Sequence, residues 1–341
     1  MDKYRVAIVG ATGLVGSEFI KVLEQRNFPI GNIQLFASDR SAGKKLLFNH
    51  AEYEVKETNT DSFHDVDIAF FSAGTDTSKY FAPIAAQSGA VVIDNSAAFR
   101  MDENVPLVVP EVNAEDIKKH KGIIANPNCS TIQMVTALYP LHKTNPIKRI
   151  IVTTFQSVSG TGSAAVEELS AQSVQVLNGQ VTAPSVYPHQ IAFNTLPHID
   201  AFLDNAYTKE EWKMLEETRK IMHAEDMLVS ATCVRVPVFT SHSEAVNIEF
   251  TNPISAEEAR VILSQAPGVN VLDNPYASLY PTPWMAAGTD ATYVGRIRQD
   301  VSCSNGLVMW IVSDNIRKGA ALNAVQIAEE MIKQNWIIPG G

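Results

Sequence analysis

Cys129 is the residue whose setting most suggests chemistry. It follows the apolar run Gly122-Ile123-Ile124-Ala125 and the segment Asn126-Pro127-Asn128, and it leads into Ser130-Thr131-Ile132-Gln133-Met134-Val135, a helical stretch. Pro127 stops a strand and Asn128 is a good N-cap, so Cys129 falls in the first helical turn, where the dipole favours a thiolate. The bland alternative is a buried structural cysteine, the commonest fate of a free thiol. Cys233 and Cys303 lie in strand-like runs and read as packing. A thiolate needs a base beside it, and His242, between two strand patterns, stands out among eight histidines. Its alternative as a turn residue is exposure to solvent. Arg235, seven residues earlier, can clamp a carboxylate with its planar fork. Arg100, just past a strand end, and Lys213, in Glu210-Glu211-Trp212-Lys213, are further cations for an anionic substrate, although Lys213 also fits a solvated helix face.

The second reactive feature is Gly10-Ala11-Thr12-Gly13-Leu14-Val15-Gly16, between the β-branched run Arg5–Val9 and a helical pattern with Phe19, Ile20, Val22 and Leu23. The spacing is G-x-x-G-x-x-G rather than G-x-G-x-x-G. The physics is shared: glycine lets the backbone approach a pyrophosphate, and a helix N-terminus supplies amides. The alternative is a tight turn needing positive φ. A second strand, Ile33–Ala37, ends in Ser38-Asp39-Arg40-Ser41-Ala42-Gly43-Lys44. In a dinucleotide fold this end meets the adenosine ribose, and Arg40 with its serines suits a 2′-phosphate, hence NADP(H). A thiolate combined with hydride transfer points to one reaction class: sulfur adds to an aldehyde, hydride leaves to the cofactor, and a thioester remains.

The elements that must position these groups alternate. Strands at 67–71 (ending in Ser72-Ala73-Gly74), 91–93 and 122–125 and a helix at 78–88, with Tyr80, Phe81, Ile84 and Ala85 on one side, predict a mostly parallel α/β sheet with its polar clusters at the carboxyl ends of strands. After about Ile147 the pattern changes to long alternating strands at 149–157, 228–238, 244–251, 293–299 and 306–313, with helices near 164–177 and 209–223 and an irregular excursion at 179–194. Helix resumes from Asn315 through Ile332. The predicted fold class is α/β, a Rossmann-type nucleotide-binding domain plus an α+β catalytic and dimerisation domain, with 1–130 and 315–341 forming the first and 131–314 the second. The chain has 341 residues, 45% of them hydrophobic, enough for two cores. With 27 Lys and Arg against 37 Asp and Glu, its charge of −10 argues against nucleic acid as a partner. No run reaches the ~18 apolar residues of a membrane span, and the amino end carries no signal-peptide pattern. The odd, scattered cysteines exclude a disulfide framework or zinc ribbon and favour a reducing cytoplasm, and no metal is expected.

Together the glycine loop, Ser38–Lys44, Asn126-Pro127-Asn128-Cys129-Ser130-Thr131, Phe155-Gln156-Ser157-Val158-Ser159-Gly160, Arg235…His242 and Asn315-Ile316-Arg317-Lys318-Gly319-Ala320 closely resemble the bacterial aspartate-β-semialdehyde dehydrogenase family, over essentially the whole chain. The resemblance implies the layout of glyceraldehyde-3-phosphate dehydrogenase and the reversible, NADPH-dependent reduction of L-4-aspartyl phosphate to L-aspartate 4-semialdehyde and inorganic phosphate, which feeds lysine, diaminopimelate, threonine, methionine and isoleucine biosynthesis. It implies Cys129 as the nucleophile that forms the thioester, His242 as acid/base and Gln156 as the residue that orients the acyl group. Arg235 would hold the substrate carboxylate, Glu210 the amino group, and Arg100 and Lys213 the phosphate, with Asn128 a further substrate contact. Gly10, Thr12, Gly13, Leu14 and Val15 would meet the pyrophosphate, Ser38, Arg40 and Ser41 the adenosine end with its 2′-phosphate, and Ser72 and Gly74 the cofactor at the third strand's end. Ser159, Gly160 and Asn315 would approach the nicotinamide. The last helix would pack back on the nucleotide domain, and the second domain would form a homodimer that can pair into a tetramer.

Two alternatives differ locally. N-acetyl-glutamyl-phosphate reductase carries Asn-Pro-Gly-Cys-Tyr where this chain has Asn128-Cys129-Ser130, and a non-catalytic NADP-sensing protein needs neither Cys129 at a helix start nor His242 between strands. Asp39, next to Arg40, is the one acid that could soften the preference for NADP over NAD. Arg40→Ala is expected to raise the Michaelis constant for NADP far more than that for NAD; equal effects in steady-state assays exclude a 2′-phosphate role.

Overall fold

The computed structural model describes residues 3–340. The chain forms two compact units, one running to Asn128 and resuming at Ala320, the other Cys129–Gly319. Residues 129–130 and 315–319, grouped by sequence with the nucleotide domain, thus fall in the second unit.

The first unit begins with β1 (Tyr4–Val9), α1 (Leu14–Gln25), β2 (Ile30–Ala37), β3 (Lys45–Phe48), β4 (Ala51–Glu57), β5 (Ile68–Phe71), α2 (Thr75–Gln87), β6 (Val91–Asp94), the single turn α3 (Pro110–Asn113) and β7 (Ile123–Ala125). Among the described residues its strands form one sheet in the order β3-β4-β2-β1-β5-β6-β7. All neighbours pair in parallel except β3 with β4. Central strands such as Ile68–Phe71 are buried on both faces, as parallel strands covered by helices must be. Because β2 and β5 leave β1 on opposite sides, the carboxyl end of β1 is a topological switch point, the place where such sheets bind ligands. Tyr80, expected on the apolar side of α2, is exposed instead; Ser78, Ala82 and Ala85 make the buried stripe, with Phe81 and Ile84 half-buried beside it.

The second unit contains α4 (Cys129–Thr144), β8 (Ile147–Gln156), α5 (Ser163–Leu177), α6 (Lys209–Met222), β9 (Leu228–Arg235), β10 (His242–Phe250), α7 (Ala256–Ser264), β11 (Val269–Val271), the single turn α8 (Pro283–Ala286), β12 (Thr292–Gln299) and β13 (Gly306–Ser313). The described strands order as β11-β12-β13-β10-β8-β9. Along β8, Ile150, Val152, Thr154 and Gln156 are buried while Ile151 is exposed, the alternation of a sheet with helices on one face. The chain then returns to the first unit in α9 (Leu322–Lys333), whose Ala324, Val325, Ile327, Ala328 and Met331 enter the core that α1 also lines. This helix starts later than the sequence pattern predicts: Asn315 lies in the turn after β13, and a π-helical turn, Arg317–Ala321, intervenes. Cys303, read as a strand residue, sits in the turn between β12 and β13.

α6 carries Glu210 and Lys213, and its start is fixed by a capping box. The Glu211 N–H donates to Thr208 Oγ1 at 3.3 Å and the Thr208 N–H to Glu211 Oε2 at 2.7 Å. The second Glu211 oxygen accepts the Cys233 N–H at 3.0 Å, docking the helix against edge strand β9. Thr208→Ala is expected to cost about 1 kcal/mol, read as a lower midpoint in urea unfolding; an unchanged midpoint means that the cap does not limit the helix.

Candidate functional site

In the first unit a cavity of about 550 Å³ lies at the carboxyl ends of β1 and β2, lined by Gly10, Thr12, Gly13, Ser38, Arg40 and Ser72 among others. Two of the glycines are set by close packing. Gly10 has φ +86°, and a side chain there would stand 2.3 Å from the Ser72 carbonyl oxygen; one at Gly16 would stand 2.1 Å from the Gly10 carbonyl oxygen. Gly13, the residue before α1, meets only the Gly10 carbonyl oxygen at 3.4 Å and otherwise faces open space. A glycine-lined hollow at the start of a 12-residue helix fits a pyrophosphate, with amides and the positive dipole end directed at it. Leu14 opens α1 and is exposed, whereas Val15 packs on the core. Ser41 accepts a hydrogen bond from the Thr12 hydroxyl at 3.2 Å, joining the glycine loop to the Arg40 turn. Asp39 is occupied locally: its Oδ1 accepts the Arg40 N–H at 2.7 Å. Gly74, at φ +88°, caps the start of α2. Arg100 is buried, with Nε donating to the Asn126 carbonyl at 3.0 Å and a terminal nitrogen to the Asn95 carbonyl at 2.8 Å, tying together the segments that follow β6 and β7. Asn128, also buried, ends this unit.

The second unit opens with Cys129 as the first residue of α4, half-buried. Gly319 passes so close that a side chain there would come 2.9 Å from Cys129 Cβ. His242 corrects the sequence reading. It is not in the turn but is the first residue of β10, fully buried and paired in register with Gln156 at the end of β8. The turn itself ends at Ser241, which takes φ +74°. His242 Nδ1 accepts the Ser157 N–H at 3.1 Å and lies 3.1 Å from Ser157 Oγ, while Nε2 has no hydrogen-bond partner. Burial, then the charge of Arg235, lowers the imidazole pKa to about 3, so the ring is neutral at physiological pH. A backbone donor at Nδ1 leaves the ring hydrogen on Nε2.

Arg235, the last residue of β9, is only 4% exposed and makes no ion pair among the described residues. One terminal nitrogen donates to the Ser157 carbonyl, and Nε has no partner. A buried unpaired guanidinium is costly in a free protein and is a ready receptor for a carboxylate. Gly160 lies against both groups: a side chain there would stand 3.2 Å from His242 Nε2 and 3.3 Å from an Arg235 terminal nitrogen. Gln156 donates to Thr154 Oγ1 at 3.2 Å and to Glu210 Oε1 at 3.3 Å. Lys213 is not solvated as a helix-face lysine; its Nζ donates to Asp200 at 2.8 Å and to Glu210 Oε2 at 3.3 Å. Gln156, Glu210, Lys213 and Asp200 thus form one polar chain.

Asn315 organises the rest. Its Oδ1 accepts from Ser241 N–H at 2.8 Å and from the Ser157 and Ser159 hydroxyls at 3.2 Å each, and its Nδ2 donates to Ser159 Oγ at 3.0 Å. Ser157 and Ser241 were not named as site residues from the sequence, because each makes a key contact, to His242 Nδ1 and to Asn315 Oδ1, through a backbone N–H that no residue type announces. Glu244, two residues along β10 from His242, is fully buried beside Gln133, and neither of its oxygens meets a donor at hydrogen-bond geometry. Burial raises its pKa well above the usual carboxylate range. Cys233 is buried with its thiol 3.8 Å from Met214 sulfur, and burial pushes its pKa far up, which makes it inert packing.

His242 binds its proton near pH 6.5 in the unfolded chain and near 3 in the folded one, so stability is lost as pH falls through that window. Between pH 7 and pH 5 this group alone removes about 2 kcal/mol. His242→Asn is therefore expected to lose less unfolding free energy than the parent over that interval; identical pH slopes in urea denaturation rule out a neutral buried imidazole.

Residues 5–120 match the semialdehyde dehydrogenase NAD-binding domain family and residues 138–318 the semialdehyde dehydrogenase dimerisation domain family. The aspartate-semialdehyde dehydrogenase of Aquifex aeolicus is 59% identical over 338 residues, covering 98% of this chain and 99% of that protein. That of Bacillus subtilis is 51% identical over 340 residues, covering 97% and 98%. Among solved structures, aspartate semialdehyde dehydrogenase II from Vibrio cholerae, complexed with ASA, superposes with a TM-score of 0.94 at 47% identity over 98% of this chain and 99% of that one. The enzyme from Candida albicans with NADP superposes at 0.79 and 27% identity, over 98% and 100%. With both family matches side by side along the chain and relatives this similar over its whole length, the chain belongs to the aspartate-semialdehyde dehydrogenase family.

Proposed function

We propose that this protein interconverts L-4-aspartyl phosphate and L-aspartate 4-semialdehyde plus inorganic phosphate, with Cys129 as the covalent nucleophile. The observation that carries the reading is the buried pair on the second unit's sheet: an arginine with no ion pair, and a neutral histidine whose Nε2 has no partner, both closing on Gly160. An enzyme for a small carboxylate-bearing acyl substrate needs such a pair; a protein that only senses the cofactor does not.

In the reductive direction the Cys129 thiolate attacks the acyl carbon, the C–O bond to phosphate breaks, and a thioester forms. The position of Cys129 in the first turn of a 16-residue helix favours the thiolate. Arg235 holds the substrate carboxylate by its fork, Glu210 faces the ammonium, and Gln156 orients the acyl oxygen. Arg100 and Lys213 serve the phosphate, and Asn128 is a further substrate contact. NADPH supplies the hydride that reduces the thioester carbon. His242, with its hydrogen on Nε2, donates a hydrogen bond to the oxygen as negative charge develops there; when that alkoxide collapses to the carbonyl, the C–S bond breaks and the thiolate returns. Gly10, Thr12, Gly13, Leu14 and Val15 would hold the pyrophosphate, Ser38, Arg40 and Ser41 the adenosine end, Ser72 and Gly74 the adjoining wall, and Ser159, Gly160 and Asn315 the nicotinamide end.

The protein would work in the cytoplasm as a homodimer. Among the described residues no helix is long and apolar enough to cross a membrane. The second unit exposes Tyr276, Trp284 and Val301 almost completely and carries a cavity of about 370 Å³ lined by Tyr280, Pro281, Arg296 and Trp310, apolar surface that a second copy would cover. The test is a phosphate-dependent assay with aspartate semialdehyde and NADP⁺ or NAD⁺. Turnover should require phosphate, vanish in Cys129→Ala with NADPH binding retained, and fall about 10²–10⁴-fold in His242→Asn. Activity of the histidine variant within a few-fold of the parent refutes the acid/base role.

A further inference from the structure

We propose that Tyr187 is a positioning residue for the substrate-carboxylate clamp: its ring braces Arg235, on a loop that α5 staples in place. The inference rests on the reading of Arg235 as the carboxylate receptor.

Arg235 is buried with no carboxylate partner, so in the free protein something else must stabilise and aim its charge. The Ser157 carbonyl takes one terminal nitrogen. The face of the Tyr187 ring takes the rest of the group, with the guanidinium carbon 6.0 Å from the ring centroid. Neither contact neutralises the cation, which therefore remains available to an anion.

The ring comes from the irregular segment 179–194, which has no ladder of its own to hold it. Two side chains one turn apart on α5 provide the anchor. Glu168 accepts from the Ser185 hydroxyl at 2.6 Å and from the Ser185 and Val186 N–H groups. Although burial works against it, these donors hold the Glu168 carboxyl below its usual range. Gln172 Oε1 accepts from Ile191 N–H at 2.9 Å and Ala192 N–H at 3.2 Å, and its amide donates to Glu168 at 3.0 Å. Ile191 and Ala192 are fully buried with Val158 and Leu169, and Tyr187 packs against that cluster. The Tyr187 hydroxyl meets Thr161 Oγ1 at 2.9 Å, just after Gly160. The chain is thus pinned just before and just after Tyr187, at Ser185–Val186 and Ile191–Ala192, and the tyrosine between them is fixed in three directions.

The test compares Tyr187→Phe, Tyr187→Leu and Arg235→Lys in the full chain by steady-state kinetics with aspartate semialdehyde, phosphate and NADP⁺, with the thermal midpoint as a folding control. Leucine keeps apolar bulk but removes the π face. Tyr187→Leu should raise the Michaelis constant for the semialdehyde about fivefold, the size of a partly buried cation–π contact, with kcat and the NADP⁺ constant within twofold. Tyr187→Phe should behave as the parent. Glu168→Gln, which weakens the staple without touching the ring, should raise the same constant to a smaller degree. If Tyr187→Leu leaves that constant unchanged while Arg235→Lys raises it, the brace is wrong and the carboxylate site stands. If Arg235→Lys also leaves it unchanged, the carboxylate reading fails and the brace falls with it. A Tyr187→Leu effect on kcat alone, or one that Tyr187→Phe shares in full, also overturns the proposal.

Discussion

An imidazole that is fully buried beside an unpaired guanidinium must stay neutral, and much of the second unit follows from that constraint. Burial disfavours the charged ring, and the Arg235 charge adds to that, so His242 is neutral. A neutral ring must then be fixed in one tautomer, because only the nitrogen facing the site can donate. The Ser157 N–H at Nδ1 fixes it, and that contact exists because β8 and β10 pair with Gln156 opposite His242. A one-residue slip in this register would turn Gln156 or His242 to the other face of the sheet. Asn315 supports the arrangement from the next strand's end: by accepting the Ser241 N–H it holds a residue with positive φ immediately before the histidine.

The first unit meets a different demand, room rather than charge. Gly10 and Gly16 let β1, its neighbour after β5 and the start of α1 approach within distances that any Cβ would block. The space gained is the hollow in front of Gly13. Asp39 makes the same point about local chemistry. From its type alone it competes with Arg40 for the character of the adenosine site, yet its oxygen is already committed to the Arg40 backbone N–H, which tightens the turn that displays the arginine.

Strand, glycine loop and helix were legible because their signals are local: a β-branched run, glycines at fixed offsets and a 3.6-residue apolar period. Cys129 at a helix start was legible for the same reason. The hairpin of β3 and β4 was not, since Lys45, Glu52, Glu54 and Lys56 give this margin of the sheet, with β3 at its edge, a polar composition. The nine-residue helix α7, opened by a capping box of Ser255 with Glu258, was not read either, because it is short beside the long strands that dominate the region. His242 was found as a residue and misplaced as an element, because Val236–Ser241 supplies the turn by backbone conformation rather than by glycine or asparagine. The Glu168–Gln172 staple was invisible, since nothing in a solvated-looking helix sequence says that two polar side chains turn inward to hold a loop.

The overall charge of −10 gains meaning only when the cations are sorted by partner. Arg5, Arg260 and Arg317 each stand against carboxylates of the chain itself. These pairs are structural, and a small anion would have to compete with an acid already in contact. Arg235 is built otherwise: a carbonyl and an aromatic face steady it without supplying negative charge. In an acidic protein a diffusing anion meets an unfavourable mean field, so the selectivity of the site must come from short-range terms. A desolvated guanidinium supplies such a term, because a bidentate carboxylate recovers there the interaction that burial withheld. The Arg235 charge, second to burial, also lowers the proton affinity of His242, so a carboxylate bound at Arg235 would offset that part of the effect on the neutral ring.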